Sequence, residues 1–591
     1  MEVFFIIQKY TPMSSRNDVA NKIFPEITTT PSELMKQFPK RANPICSRFA
    51  PSPTGFLHIG GVFTAFTTQK FVKQQGGNFI LRIEDTDQKR KTEGAVESLI
   101  SSMKRFGIEM DEGPLGANGE DIGNYGPYTQ SERKKFYQIF VKDLIARGLA
   151  YPCRMTEEEI ESLRTQQTRA KVATGIYGNY SLYRNKTPDE ILAKLTEEEN
   201  ATDNTGKKYI IRFRSAGEVN KKIVFDDILR GKVHMIDNYN DIVLIKKDGL
   251  PTYHMAHIVD DTLMQVSHII RAEEWLTSVP LHLQLFNACQ VPAPKYCHLA
   301  QLLAIDEETG KKRKLSKRKD PYANVEYFFE KGYAVQGILD YLYTLADSSF
   351  EDWQKEHPEQ SCFDCELQLE KMNKSGALFD EMKMRSVNNE YLSRISTDEL
   401  YDISLHWAKT YHPELQKLLE INPDYAKSAL NIERHTEKDP KRFYSFFDVY
   451  NQLVFFFDDE WEKLHDNNWR NTANPEENKF TDYMGNPIKI PSSLSKENLA
   501  NFINDFITEY EQKLDLNMTT QEWFDQLKEI GKNYGFAGNN KEFKEGGYIG
   551  KIGELAMFLR LQLCCSGRTP DLFSVMKILG KEKVIERLKR M

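Results

Sequence analysis

The chain has 591 residues, of which 40% are hydrophobic and 28% charged, and its formal net charge is −7. One hydrophobic core does not serve a chain of this length, so we expect roughly three to five domains. No run of about 18 apolar residues occurs, which predicts no membrane-spanning helix, and the acidic balance requires any polyanion to bind to a local basic face.

The first elements predict half of a doubly wound nucleotide-binding sheet. Residues 1–44 lack the basic segment of a secretory signal and are expected to be a loosely structured extension. Residues 45–50 predict a strand, which the glycine-rich turn APSPTGFLHIGG and a helix to about Gln75 follow. NFILRIED predicts a second strand, and the apolar spacing of residues 92–106 predicts a second helix. This order of elements is typical of a Rossmann-type domain.

The later elements predict an insertion, the return of the sheet and a helical C-terminal region. The segments YIIRFR and KIVFDD are strand-like but lie among charged helices, whereas VSHIIR reads as an apolar strand of the sheet. The polar stretch 466–496 is predicted to be an insertion or a long loop. The predicted boundaries are 1–44 for the extension, 45–138 and 241–310 for the halves of the α/β Rossmann-type domain, 139–240 for the inserted domain, 311–395 for the segment with the basic loop, and 396–591 for the helical region.

The turn HIGG, residues 58–61, is a candidate site for a polyphosphate. It has neither P-loop nor G-x-G-x-x-G spacing, but backbone N–H groups at the start of a helix can face anionic oxygens. Gly60 and Gly61 leave room for a flat ring against the backbone, and His58 can donate a hydrogen bond to a phosphate. The alternative is a tight turn with a histidine that packs in the core.

The basic run GKKRKLSKRKD, residues 310–320, is a second candidate. Lys314 and Lys317 flank Ser316 in a segment that follows an apolar, strand-like stretch. Two mobile ammonium groups beside a hydroxyl can close over a triphosphate and neutralise a leaving pyrophosphate. The alternative is a solvated basic loop without a ligand.

Taken together, HIGG and KLSKR resemble the two ATP motifs of class I aminoacyl-tRNA synthetases. RFAPSPTGFLHIGG, LRIEDTD, DGLPTYHMAHIVDD and IRAEEW resemble glutamyl-tRNA synthetases in order and spacing, closely over residues 45–345 and weakly over 375–392. The resemblance implies a Rossmann-type catalytic domain with an inserted acceptor-binding domain and a helical anticodon-binding region. It implies a glutamate–tRNA ligase that uses ATP with Mg²⁺, forms glutamyl-adenylate from L-glutamate, and charges the 3′-terminal ribose of tRNA(Glu).

The resemblance also implies roles for residues. The α-carboxylate of glutamate is already ionised, so His58, Lys314 and Lys317 would act by positioning and charge neutralisation and not as a general base. The residues implied for ATP are Gly60, Gly61, Glu274, Ser316 and Lys317. The residues implied for glutamate are Arg48, Ala50, Ser52, Glu84, Tyr253 and Arg271.

Arg48 is the residue on which the choice of amino acid depends. Its guanidinium fork suits the side-chain carboxylate of glutamate, whereas the NH₂ group of glutamine would face a second donor. Glu84 would receive the substrate ammonium group. A surface salt bridge is the alternative for Arg48, and a helix cap is the alternative for Asp85 and Asp87 in the same IEDTD cluster.

No structural zinc or other protein-bound metal is expected. Some relatives hold zinc through a cysteine cluster in the inserted domain, where this chain has only Cys153. Cys362 and Cys365 form one C-x-x-C pair, and Cys564 and Cys565 are adjacent, which suits neither half of a paired zinc site. We expect reduced thiols and a cytoplasmic protein.

Three alternatives remain open at this point. A glutaminyl-tRNA synthetase would carry a PEPNG-like segment where this chain has PSPTG, and a truncated relative that modifies a tRNA base would lack the long C-terminal half. A non-catalytic nucleotide- or tRNA-binding relative would not need His58 and both lysines. We expect a monomer that binds tRNA but neither DNA nor membranes. The aromatic residues of the helical region are expected in its core.

Overall fold

The computed structural model describes residues 15–55, 57–90, 92–116, 119–199, 209–316, 318–436, 441–466, 479–489, 496–513 and 517–590. The chain divides into two compact units, one made of residues 1–325, 342–356 and 360–379, and the other of residues 326–341, 357–359 and 380–591. Within the described ranges, no helix is long and apolar enough to cross a membrane.

The strands of the first unit are short and form several small sheets. They are β1 (Cys46–Phe49), β2 (Asn78–Leu81), β3 (Ala150–Cys153), β4 (Ile210–Phe213), β5 (Lys222–Asp227), β6 (Gly231–Ile236), β7 (Val243–Ile245), β8 (His268–Ala272), β9 (Lys295–Leu299), β10 (Leu302–Ile305), β11 (Lys312–Lys314) and β12 (Ala377–Leu378). The main helices of this unit up to residue 325 are α1 (Arg16–Ile23), α2 (Pro31–Met35), α3 (Ile59–Gln74), α4 (Ala95–Arg105), α5 (Lys134–Ala146), α6 (Glu157–Arg169), α7 (Pro188–Glu199), α8 (Tyr253–Leu263) and α9 (Val279–Ala288).

Parallel strands from both predicted halves come together in the first unit. β1 pairs with β2 in parallel, and β8 pairs with β9 in parallel. The backbone N–H of Ser267 donates to the carbonyl of Cys46 at 2.9 Å, and Ser47 Oγ donates to the carbonyl of His268 at 2.7 Å, so β1 lies beside β8. The resulting order β2-β1-β8-β9 places the start of α3 at the end of the first strand, as the Rossmann-type prediction requires.

The region between the two halves contributes to two different sheets. β4 lies between β3 and β7 in an antiparallel sheet. β5 and β6 form a hairpin, and Asp227 of β5 pairs with Tyr296 of β9, so this hairpin extends the β8–β9 sheet. Residues 222–236 therefore pair with the second half of the sheet, whereas the domain boundary at residue 240 stays a prediction.

The prediction of a loosely structured N-terminal extension is wrong for residues 15–44. Capping boxes start both of its helices, with Ser15 and Asp18 on α1 and Thr30 and Glu33 on α2. Val19 of α1 is 2% exposed and belongs to the same apolar core as the inner face of α5. Burial of this face accounts for the order of the segment. Residues 1–14 lie outside the described residues.

The second unit is helical around a large apolar core, as predicted. Its core includes the aromatic residues Phe443, Phe446, Phe455, Phe456, Phe457 and Trp523, whereas Tyr444 and Phe447, which the same prediction placed in the core, are exposed. Much of the predicted 466–496 insertion lies outside the described residues. Short strand pairs are Lys479–Thr481 with Pro487–Lys489 and Phe536–Ala537 with Gly550–Lys551. Beyond residue 325 the α-helices of the chain include Glu326–Glu330, Val335–Ala346, Phe350–Glu356, Glu381–Arg394, Thr397–Tyr411, Pro413–Ile421, Pro423–Leu430, Phe446–Leu453, Asp458–Leu464, Lys496–Lys513, Thr520–Asn533, Asn540–Glu545, Ile552–Cys564, Leu572–Leu579 and Lys581–Lys589.

Candidate active site

A cavity of about 480 Å³ opens at the carboxyl ends of β1, β8 and β9. Ligands of open α/β sheets bind at this edge, where loops leave the strands. Ser316 does not line the cavity, and Lys317 lies outside the described residues. The other predicted site residues all line it, namely Arg48, Ala50, Ser52, His58, Gly60, Gly61, Glu84, Tyr253, Arg271, Glu274 and Lys314.

His58 is the N-cap of α3. Its Nδ1 accepts a hydrogen bond from the backbone N–H of Gly60 at 2.9 Å. A ring that accepts at Nδ1 carries its proton on Nε2 when it is neutral. The side chain therefore has a structural role at the start of the helix and still presents an N–H group as a donor.

Gly60 and Gly61 avoid close contacts at the start of the helix. A Cβ atom at position 60 would lie 3.1 Å from Nδ1 of His58, and one at position 61 would lie 3.1 Å from Cδ1 of Leu57. Both distances are tighter than ordinary contacts. Gly60 thus leaves room for the imidazole in its capping position, and both glycines leave the backbone of α3 without side chains toward the cavity.

Arg48 is buried at the end of β1 and is held through Nε. This atom donates to Asp261 of α8, at 3.1 Å from Oδ1 and 3.3 Å from Oδ2. In the described part of the chain, the two Nη groups of Arg48 have no hydrogen-bond acceptor. Burial of Asp261 would raise its pKa, but Arg48 and Arg82 outweigh that effect and hold the pKa well below its usual range. The surface salt bridge considered for Arg48 is not what the structure has.

Glu84 follows β2 and lines the same cavity. Its Oε1 accepts a hydrogen bond from Nη2 of Arg82 at 2.9 Å. Burial raises the pKa of Glu84, and the attraction of Arg82 offsets only part of that rise. A cationic group in the cavity would lower the pKa of Glu84 again.

Asp85, the next residue, has a structural role. Its carboxylate accepts from the backbone N–H and from the hydroxyl of Ser131, each at 2.8 Å, and it is 1% exposed. A 3-10 helix, Gln88–Arg90, follows the cluster, and α4 then begins at Ala95 with Gly94 as its N-cap. Asp85 thus ties the strand end to the turn before α5 and does not cap α4.

Arg271 and Tyr253 form the third side of the cavity. Nη1 of Arg271 donates to the hydroxyl of Tyr253 at 3.0 Å, and Nη2 donates to the carbonyl of Trp275 at 3.2 Å. The rings of Tyr253 and Trp275 are in contact, with their centroids 4.4 Å apart. Nε of Arg271 donates to His298 at 3.1 Å. The guanidinium is therefore fixed on all three nitrogens.

Lys314 and Glu274, predicted to contact different parts of ATP, form an ion pair with each other. Nζ of Lys314 contacts Oε2 of Glu274, and the two side chains are 56% and 41% exposed. Glu274 lies on a 3-10 helix that follows β8, and Lys314 ends β11. An exposed pair of this kind contributes at most about 1 kcal/mol, so a polyphosphate can displace the carboxylate from the lysine.

The loop after Lys314 is built by an internal clamp. Arg313 donates two hydrogen bonds to Asp320, at 2.6 and 2.7 Å, and the backbone N–H of Ser316 donates to the same carboxylate at 2.8 Å. Leu315 is 3% exposed, and its buried side chain anchors this turn. Arg313, Leu315 and Asp320 thus give the described part of this loop a defined conformation, while the Lys314 side chain stays 56% exposed.

Several residues around the cavity were not predicted from the sequence. Trp275 lines it, while Arg82, Asp261, His298 and Asp227 lie behind it and hold residues that line it. Charged residues in otherwise apolar segments such as VSHIIR and YCHLAQLL were the signal available, because a buried charge needs a partner. Their partners lie far away in the chain, so the sequence alone does not identify them.

His257 lies next to the site, one helical turn before Asp261 on α8. His257 is fully buried, and its Nδ1 lies 3.0 Å from Oδ2 of Asp261 without the alignment of a hydrogen bond. Burial lowers the pKa of His257 to about 3. Its ring does not line the cavity and packs against the rings of His282 and Phe286.

Comparisons with known proteins identify the family. Residues 44–385 match the family described as tRNA synthetases class I (E and Q), catalytic domain, and residues 540–591 match an anticodon binding domain. The chain is 40% identical over 581 residues to a glutamate--tRNA ligase of Clostridium perfringens, which covers 98% of this chain and 99% of that protein. It is 38% identical over 579 residues to the glutamate--tRNA ligase of Acetivibrio thermocellus, over 97% of this chain and 99% of that protein.

A solved structure agrees with these sequence matches. The crystal structure of a glutamate tRNA ligase from Elizabethkingia meningosepticum, in complex with its amino acid, superimposes with a TM-score of 0.67 at 28% identity, covering 92% of this chain and 98% of that chain. The chain therefore belongs to the class I tRNA synthetases of the E and Q group. Within that class it belongs to the glutamate--tRNA ligases, because it matches them at up to 40% identity over nearly its whole length.

Proposed function

We propose that the protein activates L-glutamate with ATP to glutamyl-adenylate and transfers the glutamyl group to the 3′-terminal ribose of tRNA(Glu). One observation carries the proposal. A single cavity is lined by the helix start of HIGG, by the lysine of the KLSKR loop, and by a buried arginine whose Nη groups have no acceptor among the described residues. The helix start can bind a polyphosphate, the lysine can neutralise its leaving group, and the arginine can bind a carboxylate.

Arg48 would bind the side-chain carboxylate of glutamate through its two Nη groups. Glutamine presents an NH₂ group in place of one oxygen, and a donor facing that NH₂ leaves both groups unpaired in a buried site. This argument disfavours the glutaminyl alternative. Glu84 would accept the substrate ammonium group, which in turn stabilises the ionised carboxylate that burial opposes. Ala50, Ser52, Tyr253 and Arg271 would complete the glutamate site.

ATP would lie against the start of α3. Gly60 and Gly61 would leave the backbone open to the nucleotide, and the helix N-terminus favours the negative charge of phosphate. His58, with its proton on Nε2, would donate to a phosphate oxygen. Ser316 and Lys317 would join from the loop, and Glu274 would contact the ribose or adenine end once Lys314 has moved to the phosphates.

Mg²⁺ would arrive with ATP as part of the substrate. Among the described residues, no group of three or more His, Cys, Asp or Glu side chains is placed to hold a metal ion. Magnesium in nucleotide sites is bound largely by phosphate oxygens and water, which needs few protein ligands.

The activation step requires no proton transfer. An oxygen of the α-carboxylate attacks the α-phosphorus of ATP, its bond to phosphorus forms, and the bond to the bridging oxygen of the β-phosphate breaks. Pyrophosphate leaves with that electron pair. Lys314 and Lys317 would neutralise the leaving group, and His58 would stabilise charge on the phosphate that is attacked.

The transfer step joins the adenylate to tRNA. The terminal ribose hydroxyl attacks the carbonyl carbon of the mixed anhydride and forms an ester. The bond from that carbon to the phosphate oxygen breaks, AMP leaves with the electron pair, and the hydroxyl proton passes to the leaving phosphate or to water. The segment 139–240 would hold the acceptor end, and the helical C-terminal region would contact the anticodon, in keeping with the anticodon-binding match over residues 540–591. We expect a monomer that works in the cytoplasm.

The test is tRNA-dependent exchange of pyrophosphate into ATP, run with glutamate and with glutamine, followed by charging of purified tRNA(Glu). Exchange and charging with glutamate at a catalytic efficiency at least about 10³-fold above that with glutamine supports the proposal. Exchange only with glutamine would establish the glutaminyl activity instead. No exchange with either amino acid would favour a non-catalytic binding protein.

A further inference from the structure

Two buried residues behind the cavity connect the side chains proposed to hold the two ends of glutamate. Asp261 is 1% exposed, Arg82 is fully buried, and neither lines the cavity. Asp261 accepts from Nε of Arg48 at 3.1 Å and from Nη1 of Arg82 at 2.5 Å. Arg82 then donates to Glu84 at 2.9 Å. The four residues form a continuous charge network in which positive and negative side chains alternate, in the order Arg48, Asp261, Arg82 and Glu84.

This charge network determines which atoms of Arg48 face the substrate. A guanidinium offers a planar fork of donors, and Asp261 occupies its Nε edge. The opposite edge, with the two Nη groups, is left without an acceptor in the described residues. This is the edge that binds a carboxylate with two parallel hydrogen bonds.

The charge network also keeps Arg48 away from Glu84. Burial raises the pKa of Glu84, and the positive charge of Arg48 offsets part of that rise in addition to the larger effect of Arg82. Both residues line one cavity, so Glu84 is an alternative carboxylate for Arg48. If Asp261 did not hold Arg48 and Arg82 did not hold Glu84, the two would be free to pair with each other. That pair would occupy both Arg48, which is proposed to bind the side-chain carboxylate, and Glu84, which is proposed to bind the ammonium group.

We propose that Asp261 and Arg82 are positioning residues that hold Arg48 and Glu84 apart and thereby set the affinity for glutamate and the preference for glutamate over glutamine. The inference rests on the function proposed above, in which Arg48 and Glu84 contact the amino acid. Neither Asp261 nor Arg82 touches the substrate. They act by fixing the geometry of Arg48 and Glu84, which are proposed to contact the substrate.

A matched control exists at the neighbouring position. Asp260 lies on the same helix, is fully buried like Asp261, and accepts from Nε of Arg133 at 2.6 Å and from the hydroxyl of Tyr137 at 3.0 Å. Its nearest approach to Arg82 is 3.9 Å, and it has no bond to Arg48. The change Asp260→Asn removes a buried charge one residue away from Asp261 without releasing Arg48.

The test compares Asp261→Asn with Asp260→Asn in full-length protein, by steady-state charging of tRNA(Glu). We expect Asp261→Asn to raise the KM for glutamate about 10- to 100-fold while the KM for ATP and for tRNA changes by less than about threefold. We expect the ratio of glutamate to glutamine efficiency to fall. Asp260→Asn should leave the glutamate KM within about threefold, whatever it does to the melting temperature.

A second variant protects the test against misfolding. Arg82→Lys keeps the charge but loses the fork that reaches both Asp261 and Glu84, so it should reproduce the selective rise in glutamate KM. An unchanged glutamate KM in folded Asp261→Asn or Arg82→Lys, or an equal rise in Asp260→Asn, would overturn the inference. Failure of the wild-type protein to charge tRNA with glutamate would instead refute the proposed function, so the two failures are distinguishable.

Discussion

Nε of Arg271 donates a hydrogen bond to Nε2 of His298 at 3.1 Å, and Nδ1 of His298 lies 2.7 Å from Oδ2 of Asp227. Because Nε2 accepts, the neutral imidazole carries its proton on Nδ1 and donates it to Asp227. Burial lowers the pKa of His298, although the hydrogen bond to Asp227 acts in the opposite direction. Arg271, which lines the cavity, therefore depends on a neutral histidine directly behind it.

The first prediction is a rise in the glutamate KM at acidic pH. A proton on Nε2 of His298 removes the acceptor of Arg271 and places a second cation against it, with Arg230 also close by. The lowered pKa puts this loss below about pH 6.5. The measurement is the KM for glutamate and for ATP between about pH 7.5 and 5.

The control for this pH dependence is His298→Gln, whose side-chain oxygen can accept from Arg271 but does not titrate. We expect its glutamate KM to vary less with pH than that of the wild type. His254 and His257 do not confuse the comparison, because burial lowers their pKa values to about 4 and about 3. Identical pH profiles for the two proteins would exclude His298 as the group responsible.

Arg48→Lys tests the arginine on which amino-acid choice depends. Lysine cannot contact Asp261 and a substrate carboxylate at once, so we expect kcat/KM for glutamate to fall by about 10²-fold or more while ATP affinity is retained. Arg147→Lys is the control, since Arg147 bonds to Asp143 on the surface of α5. Retention of full activity in Arg48→Lys would contradict the assigned role.

Lys314→Ala tests neutralisation of the leaving pyrophosphate. We expect kcat for charging to fall by about 10²- to 10³-fold with little change in the glutamate KM, since the ammonium group acts on charge that develops during the reaction. Lys312→Ala, at the exposed other end of β11, is the control.

The clamp between Arg313 and Asp320 should matter for rate and little for folding. Asp320→Asn removes the carboxylate that accepts from Arg313 and from the backbone of Ser316, and we expect the looser loop to lower kcat by about tenfold. The control is Glu308→Gln in the exposed turn before β11. A kcat equal to that of the wild type would mean that the binding of ATP is enough to order the loop without the clamp.

The parts of the site that the sequence predicts are those carried by short contiguous segments. HIGG and KLSKR place a helix start and a lysine by local geometry, and the loops at strand ends bring them to one cavity. Arg48 and Asp261 are 213 residues apart, and His298 and Asp227 are 71 apart, so their pairing depends on strand and helix packing that no local pattern encodes. α1 and α2 were missed because their 8 and 5 residues are too short for a periodic pattern, although their capping boxes were readable.

The last prediction concerns stability against acid, and it follows from the histidines buried behind Tyr253. Nδ1 of His254 lies 3.0 Å from Nε2 of His282, and the rings of His257 and His282 are in contact. Burial lowers the pKa of all three, to about 4 for His254, to about 3 for His257 and well below the usual range for His282. In the unfolded chain each titrates near about pH 6.5.

Between these values the unfolded chain binds protons that the folded protein excludes. The free energy of unfolding is therefore unaffected above about pH 6.5 and falls as the pH drops below it, by at most about 1.4 kcal/mol per pH unit for each histidine. Urea unfolding of the wild type and of His257→Asn at about pH 7.5 and 5 measures the effect. Asn cannot bind the proton, so the variant should lose less stability between the two pH values. An equal loss in both proteins would mean that His257 is protonated in the folded state.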